Sequence, residues 1–189
     1  MIIILYEVIS NLFQLEICPW DDYYMSINYL NGDVTEPIKT PAIIVHVCND
    51  QGAWGKGFVL AISAKWKRPE AAYRDWYKQE FKVQGVVYDD MPFELGNIQL
   101  VSTGDNIWIA NMIAQHDFYR KGDHKGKVYL QYDALKTSLD KVNSFAKGIQ
   151  GVSIHMPRIG CGLAGGTWDK VQEVIEECKL SETYVYDFD

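Results

Sequence analysis

Two apolar runs in this chain each end in a dense glycine-rich turn that leads straight into a helical pattern, and this doubled arrangement constrains the fold more than any other feature. The first run, PAIIVHVC, is followed by NDQGAWGKG; the second, GVSIHMP, by RIGCGLAGG. A loop that only reverses the chain needs one or two glycines. Here Gly52, Gly55 and Gly57 crowd one turn, and Gly160, Gly162, Gly165 and Gly166 crowd the other. Such density points to backbone brought close to something that a Cβ would obstruct. Strand-to-helix junctions are also where open α/β sheets bind ligands, outside the carboxyl ends of their strands.

The rest of the chain agrees with an α/β sandwich. INYLNG, AIIVHVC, NIQLVST, IWIANMI, GVSIHMP and TYVYDF read as strands. Three helical regions lie between them. The first runs from about Phe58 to Phe81 and breaks at Pro69, where a second helix starts and Tyr73, Trp76 and Tyr77 share a face. In the second, Val128, Tyr132, Leu135, Leu139, Val142 and Ala146 recur at helical steps. The third carries Trp168, Val171, Val174, Ile175 and Cys178, with Thr167 as N-cap and Asp169 in the first turn. Strands alternating with helices predict a mixed or mostly parallel sheet between helical layers. A chain of 189 residues can bury a substantial single core. The apolar opening stretch is interrupted by Glu7 and Glu16 and lacks a basic region, so it resembles neither a signal peptide nor a membrane span. We read residues 1–24 as an accessory segment or upstream extension, and 25–189 as the domain.

A formal charge of −7 argues against broad affinity for nucleic acid or anionic membrane. A small anion can still be held by backbone amides. Cys18, Cys48, Cys161 and Cys178 have no zinc-like spacing, so neither metal nor cofactor is expected, and reduced thiols in a cytoplasmic compartment are the simpler reading. The segment GCGLAG satisfies the letter of a dinucleotide fingerprint, but only one helix and one strand follow it, which argues against a Rossmann site. Two glycine loops facing each other would instead present N–H groups to a pyrophosphate from both sides. His46 and Asn49 stand together where the first run ends. Imidazole moves protons near neutral pH and a carboxamide can orient a hydroxyl or phosphate oxygen, although a lone strand histidine also reads as a hydrogen-bonded core residue. His116, with Asp117, offers a second polar group, and HDFYRKGDHKGK reads equally as a solvated loop.

NGDVT after the first strand, HVCNDQGAWGKG after the second, PRIGCGLAGGTW near the end and a final VYDF strand occur in the order and spacing of a macrodomain. The chain resembles that family over Ser26 to Phe188, most closely the branch of ADP-ribose-1″-phosphate phosphatases, in which His-x-Cys-Asn leads into Gly-x-Trp-Gly-x-Gly. The resemblance implies a three-layer α/β/α fold with a central mixed sheet and a metal-independent phosphatase acting on ADP-ribose 1″-phosphate as a monomer. It implies that Asp33 accepts a hydrogen bond from adenine, with Val34 and Tyr186 in the same ligand site. Asn49 would contact the distal ribose. Gly52, Trp54, Gly55, Lys56 and Gly57, together with Ile159, Gly160, Cys161, Gly162, Leu163, Ala164 and Gly165, would enclose the diphosphate. His46 and Asn49 would carry the catalysis. Branches that remove ADP-ribose from proteins or DNA use a lysine and, in one, an aspartate where Gln115 and Ala164 stand nearest here. A de-ADP-ribosylating hydrolase and a non-catalytic ADP-ribose reader remain the alternatives.

Overall fold

The computed structural model describes residues 27–87, 91–124 and 126–187; the readings made for residues 1–24, Cys18 and Phe188 lie outside them. Among the described residues there are seven strands, β1 (Ile27–Asn31), β2 (Ala42–Asn49), β3 (Val86–Val87), β4 (Ile98–Ser102), β5 (Ile107–Gln115), β6 (Ser153–Pro157) and β7 (Thr183–Asp187). They form one sheet in the order β1-β7-β6-β2-β5-β4-β3. Pairing is parallel from β1 across to β5 and antiparallel for β4 and β3, so the sheet is mixed as expected. The helices are α1 (Val59–Lys65), α2 (Arg68–Lys78), α3 (Tyr132–Ala146) and α4 (Trp168–Glu177). The first two cover one face and the last two the other.

β2 lies at the centre of this sandwich and reads as a nearly continuous apolar run because both of its faces are covered. Ile43 and Val45 enter the core beneath α3 and α4, while Ala42, Ile44 and Cys48 enter the core beneath α1 and α2. The period of two therefore assigns His46 to the α1/α2 side. Pro69 stands in the first turn of α2, as its fixed φ favours. On that helix Tyr73 and Trp76 are buried, whereas Tyr77 is 47 % exposed and packs between Phe93 and Gly52. Leu135, Leu139, Val142 and Ala146 form the buried stripe of α3. Val128 does not belong to that stripe: it precedes the helix and is exposed. Thr167 occupies the N-cap of α4 in extended geometry, but its side chain makes no capping bond. β3 has only two residues, too few to carry a periodic signal.

His46 does not end its strand, because β2 continues to Asn49. It is 2 % exposed and packs edge-on against Trp54, with ring centroids 5.4 Å apart. Its Nε2 lies 2.7 Å from Asn111 Oδ1, while Asn111 Nδ2 donates to Pro69 O and Gln99 Oε1. The Asn111 amide is thereby oriented with its oxygen toward the histidine, so His46 Nε2 carries the proton. Burial pushes the imidazole down to about 4, against a smaller upward pull from the Asn111 bond. Such a group stabilises the fold above the ordinary histidine value and loses that contribution as pH falls from 6.5 toward 4, because only the unfolded chain takes up the proton. By pH 5 the loss is about 2 kcal/mol. His155, lowered likewise, adds its own loss, so we expect urea unfolding to show a drop between pH 7 and pH 5 that is smaller by about 2 kcal/mol in His46→Gln than in the wild type.

Candidate functional site

The turn after β2 is built around the side chain of Asn49. Its Oδ1 accepts from the amides of Gln51 and Ala53, both at 3.0 Å, and its Nδ2 donates to Ala53 O at 2.6 Å. These bonds fold residues 49–53 back on the strand and present the following segment to solvent. The amides of Gly55, Lys56, Gly57 and Phe58 donate to no acceptor among the described residues. In the turn after β6 the same holds for Gly162, Leu163 and Ala164. The two turns meet across a gap: a Cβ at Gly57 would lie 3.7 Å from Leu163 Cδ1. Open amides thus converge from two directions, an arrangement suited to an anion.

The glycines of these turns divide into two kinds. A Cβ at Gly165, whose φ is +74°, would come within 2.5 Å of Lys127 O, so the protein's own backbone requires glycine there. At Gly55 and Gly162 a Cβ would meet nothing within 4 Å, so no internal contact accounts for them. Only the second kind matches the close approach of an outside molecule.

Three cavities run in series along the carboxyl edge of the parallel strands. The first, ≈ 820 Å³, lies between the Gly32–Glu36 segment, α1 and Tyr186. The second, ≈ 210 Å³, lies between the two glycine turns and shares Gly57, Phe58 and Pro157 with the first. The third, ≈ 280 Å³, is reached past Lys56, Gln115 and Leu163 and is bounded by Asn49, Trp54, Phe118 and Tyr119. The first compartment is the roomiest of the three. Asp33 there accepts from the Thr35 amide through Oδ1 at 2.8 Å, and Lys65 ties the segment to α1 by donating to Thr35 O at 2.6 Å. Lys56 is exposed between the second and third compartments, with Nζ 6.0 Å from the centre of the Tyr119 ring.

Most residues singled out in the sequence meet on this cleft: Asp33, Val34 and Tyr186 in the first compartment, His46, Gly57, Ile159, Gly160, Gly162, Leu163 and Ala164 in the second, and Asn49, Trp54, Gly55 and Lys56 in the third. Gly52, Cys161 and Gly165 do not line it. Gly52 packs on Tyr77, where a Cβ would come within 2.4 Å, and Cys161 turns its thiol to Ile159 O. His46 reaches the second compartment only as part of its floor, since its other nitrogen, Nδ1, faces Cys48 Sγ at 3.7 Å. His116 does not converge on the cleft; it points outward and bonds Asp50 through Nδ1 at 2.6 Å. Gln115 ends β5 beside Asn49, and no lysine stands at that strand end. Phe58, Phe118, Tyr119 and Pro157 were not among the expected site residues. Phe58 immediately follows the last glycine of its turn, which is the one signal that could have found it. Phe118 and Tyr119 come from the segment that reads as a solvated loop. The described residues contain no cluster of three side chains able to hold a metal ion.

No family model matches the chain. A mouse chromodomain-helicase-DNA-binding protein 1-like is 31 % identical over 86 % of this chain, which spans only 18 % of that relative's length. An ADP-ribose 1″-phosphate phosphatase from Candida glabrata is 25 % identical, with 84 % of this chain and 96 % of that protein aligned. A macrodomain protein from Streptomyces coelicolor of known structure is 40 % identical over 86 % of this chain and 99 % of its own, with a TM-score of 0.67. With its mixed seven-stranded sheet and this level of similarity along nearly the whole of a solved relative, the chain belongs to the macrodomain family.

Proposed function

We propose that the cleft binds ADP-ribose and that the protein hydrolyses ADP-ribose 1″-phosphate to ADP-ribose and inorganic phosphate. The observation that carries this reading is the chemical order of the three compartments: a carboxylate in a roomy first one, open amides in a narrow second, and carboxamides with a lysine in the third. An adenosine, a diphosphate and a distal ribose follow one another in the same order. Asp33 retains an oxygen able to accept from the adenine amino group, the amides of both turns suit the diphosphate, and Asn49 has an amide proton left for the distal ribose. Relatives named as phosphatases of this substrate support the finer part of the reading.

Hydrolysis breaks the bond between the 1″ oxygen and phosphorus and adds water. In most analyses such a transfer passes through a loose transition state, for which charge stabilisation matters more than a strong base. Lys56 and the neighbouring amides are suited to that task. His46 spends its proton on Asn111 and turns its lone pair to Cys48, so we assign it to holding Trp54 and β5 in place rather than to proton transfer. The burial of His46 also favours a second reading, an ADP-ribose reader without turnover.

Phosphate release from ADP-ribose 1″-phosphate in the presence of a chelator separates the two. We expect turnover, with a fall of at least about 10-fold in Lys56→Met and little change in ADP-ribose affinity. No release above buffer would leave the reader. A selective loss of turnover in His46→Gln at unchanged Tm would return His46 to the reaction. For binding, calorimetry should find Asp33→Ala weaker by about 1.5–3 kcal/mol, the value of a charge-assisted hydrogen bond. Gly162→Val should keep its Tm and lose at least about 10-fold in ADP-ribose affinity, since its side chain meets only the space assigned to ligand. Unchanged affinity in both variants would remove this assignment of the cleft.

A further inference from the structure

Beneath the first compartment lies a buried polar chain that the proposed reaction does not use. Tyr186, 4 % exposed, lines that compartment, and its hydroxyl receives the Ile38 amide at 3.2 Å. The same hydroxyl is 2.9 Å from His155 Nδ1, and His155 Nε2 is 2.8 Å from Ser153 Oγ. Ser153 Oγ in turn is 3.5 Å from Pro41 O, which also accepts the Ser153 amide at 3.1 Å. His155 and Ser153 are fully buried, and the imidazole stacks on Tyr184 with centroids 5.0 Å apart and planes 11° from parallel.

One direction of bonding gives every proton in the chain a partner. Ile38 can only donate, so in that arrangement the tyrosine proton goes to His155 Nδ1. His155 Nε2 then bears the ring proton and gives it to Ser153 Oγ, whose own proton is directed at the Pro41 carbonyl. No donor meets a donor, and the neutral Nε2–H tautomer is the one that completes the chain. Both ends, Ile38 and Pro41, belong to the connection from β1 to β2 that also carries Asp33 and Val34. Buried polar networks that satisfy every member fix one arrangement of the elements they join.

We infer that His155 is a positioning residue for nucleobase selection, holding the Tyr186 ring and the Asp33-bearing connection in one geometry from beneath the first compartment. This inference rests on the reading of that compartment as the adenine site. His155 does not touch the ligand; it acts through Tyr186 and Ile38.

The test uses two substitutions that each keep half of the imidazole's bonding. The side-chain oxygen of His155→Asn falls near Nδ1 and can accept from Tyr186, whereas the longer side chain of His155→Gln reaches toward Ser153 and leaves Tyr186 without an acceptor. The asparagine variant leaves the larger void and should have the lower Tm. A merely structural role would therefore weaken His155→Asn more. Positioning predicts the reverse order: calorimetry with ADP-ribose and with its hypoxanthine analogue, which lacks the amino group, should show preference for adenine retained in His155→Asn and reduced by about 10-fold in His155→Gln. Tyr186→Phe should match His155→Gln, and the double variant should add little to either. Affinity ratios that follow Tm instead, or that are equal in all variants, would overturn the inference. Hydrogen exchange without ligand keeps it separate from the reading of the cleft. Faster exchange of the Ile38 amide in His155→Gln and Tyr186→Phe, but not in His155→Asn, supports the chain even if wild-type protein fails to bind ADP-ribose, and equal rates in all four proteins would refute it.

Discussion

The carboxamide of Asn49 is the interaction on which the cleft depends. A central parallel strand must stop somewhere, and where it stops its partners leave amides and carbonyls to be satisfied. Asn49 takes up two amides and one carbonyl of the turn that follows, within five residues, so the chain turns at once, while Gln115 O accepts the Asp50 amide. The register shift between Cys48 and Asn49 brings Asn49 opposite Gln115, and the two carboxamides end adjacent strands side by side. Beyond Ala53 the amides of Gly55, Lys56, Gly57 and Phe58 find no acceptor among the described residues. The Trp54 indole then anchors the turn, donating to Ser63 Oγ at 2.8 Å, with Ser63 bonded in turn to Glu70. Arg74 closes the arrangement by donating to Trp54 O at 2.9 Å while pairing with Glu70. The turn is thus fixed to both α1 and α2 before any ligand arrives.

Much of this was legible in the sequence. The six longer strands, the break at Pro69 and the stripe of α3 each announce themselves by period or by punctuation, because burial on a strand or helix repeats at a fixed step. The two glycine turns were legible as a pair for the same reason. What the sequence could not separate were the causes of each glycine, since Gly165 and Gly162 stand three residues apart in one motif and answer to different pressures, one to a carbonyl of the same chain and the other to open space. Nor could it distinguish a histidine at the mouth of a strand from one three residues inside, because that depends on where pairing with β5 ends. Phe118 and Tyr119 were illegible for a third reason: an irregular segment has no period, and only the tertiary path brings it to the cleft.

The two buried histidines illustrate how one residue type is used twice in a sheet. His46 and His155 are both neutral, both pushed down to about 4 mainly by burial, and each bonds through a different set of nitrogens. His46 gives its proton to Asn111 and so joins β2 to β5 and, through Asn111, to α2. His155 accepts on one side and donates on the other, joining β6 to β7 and to the connection after β1. Each therefore ties the floor of one compartment to the elements that wall it. Division of the cleft into separately supported compartments allows its ends to differ in chemistry while the sheet stays the same.

The open amides of the glycine turns carry one more consequence. They offer partial positive charge fixed to the backbone, in a protein whose side chains sum to −7. The net charge opposes the approach of an anionic ligand at long range, whereas the amides, with Lys56 and Arg158 beside them, attract it at close range. Added salt screens the long-range repulsion more than the contacts made inside the cleft. Association of such a ligand would therefore speed up with ionic strength, the opposite of what a lysine-rich anion site would do, and encounter and retention would answer to different parts of the molecule.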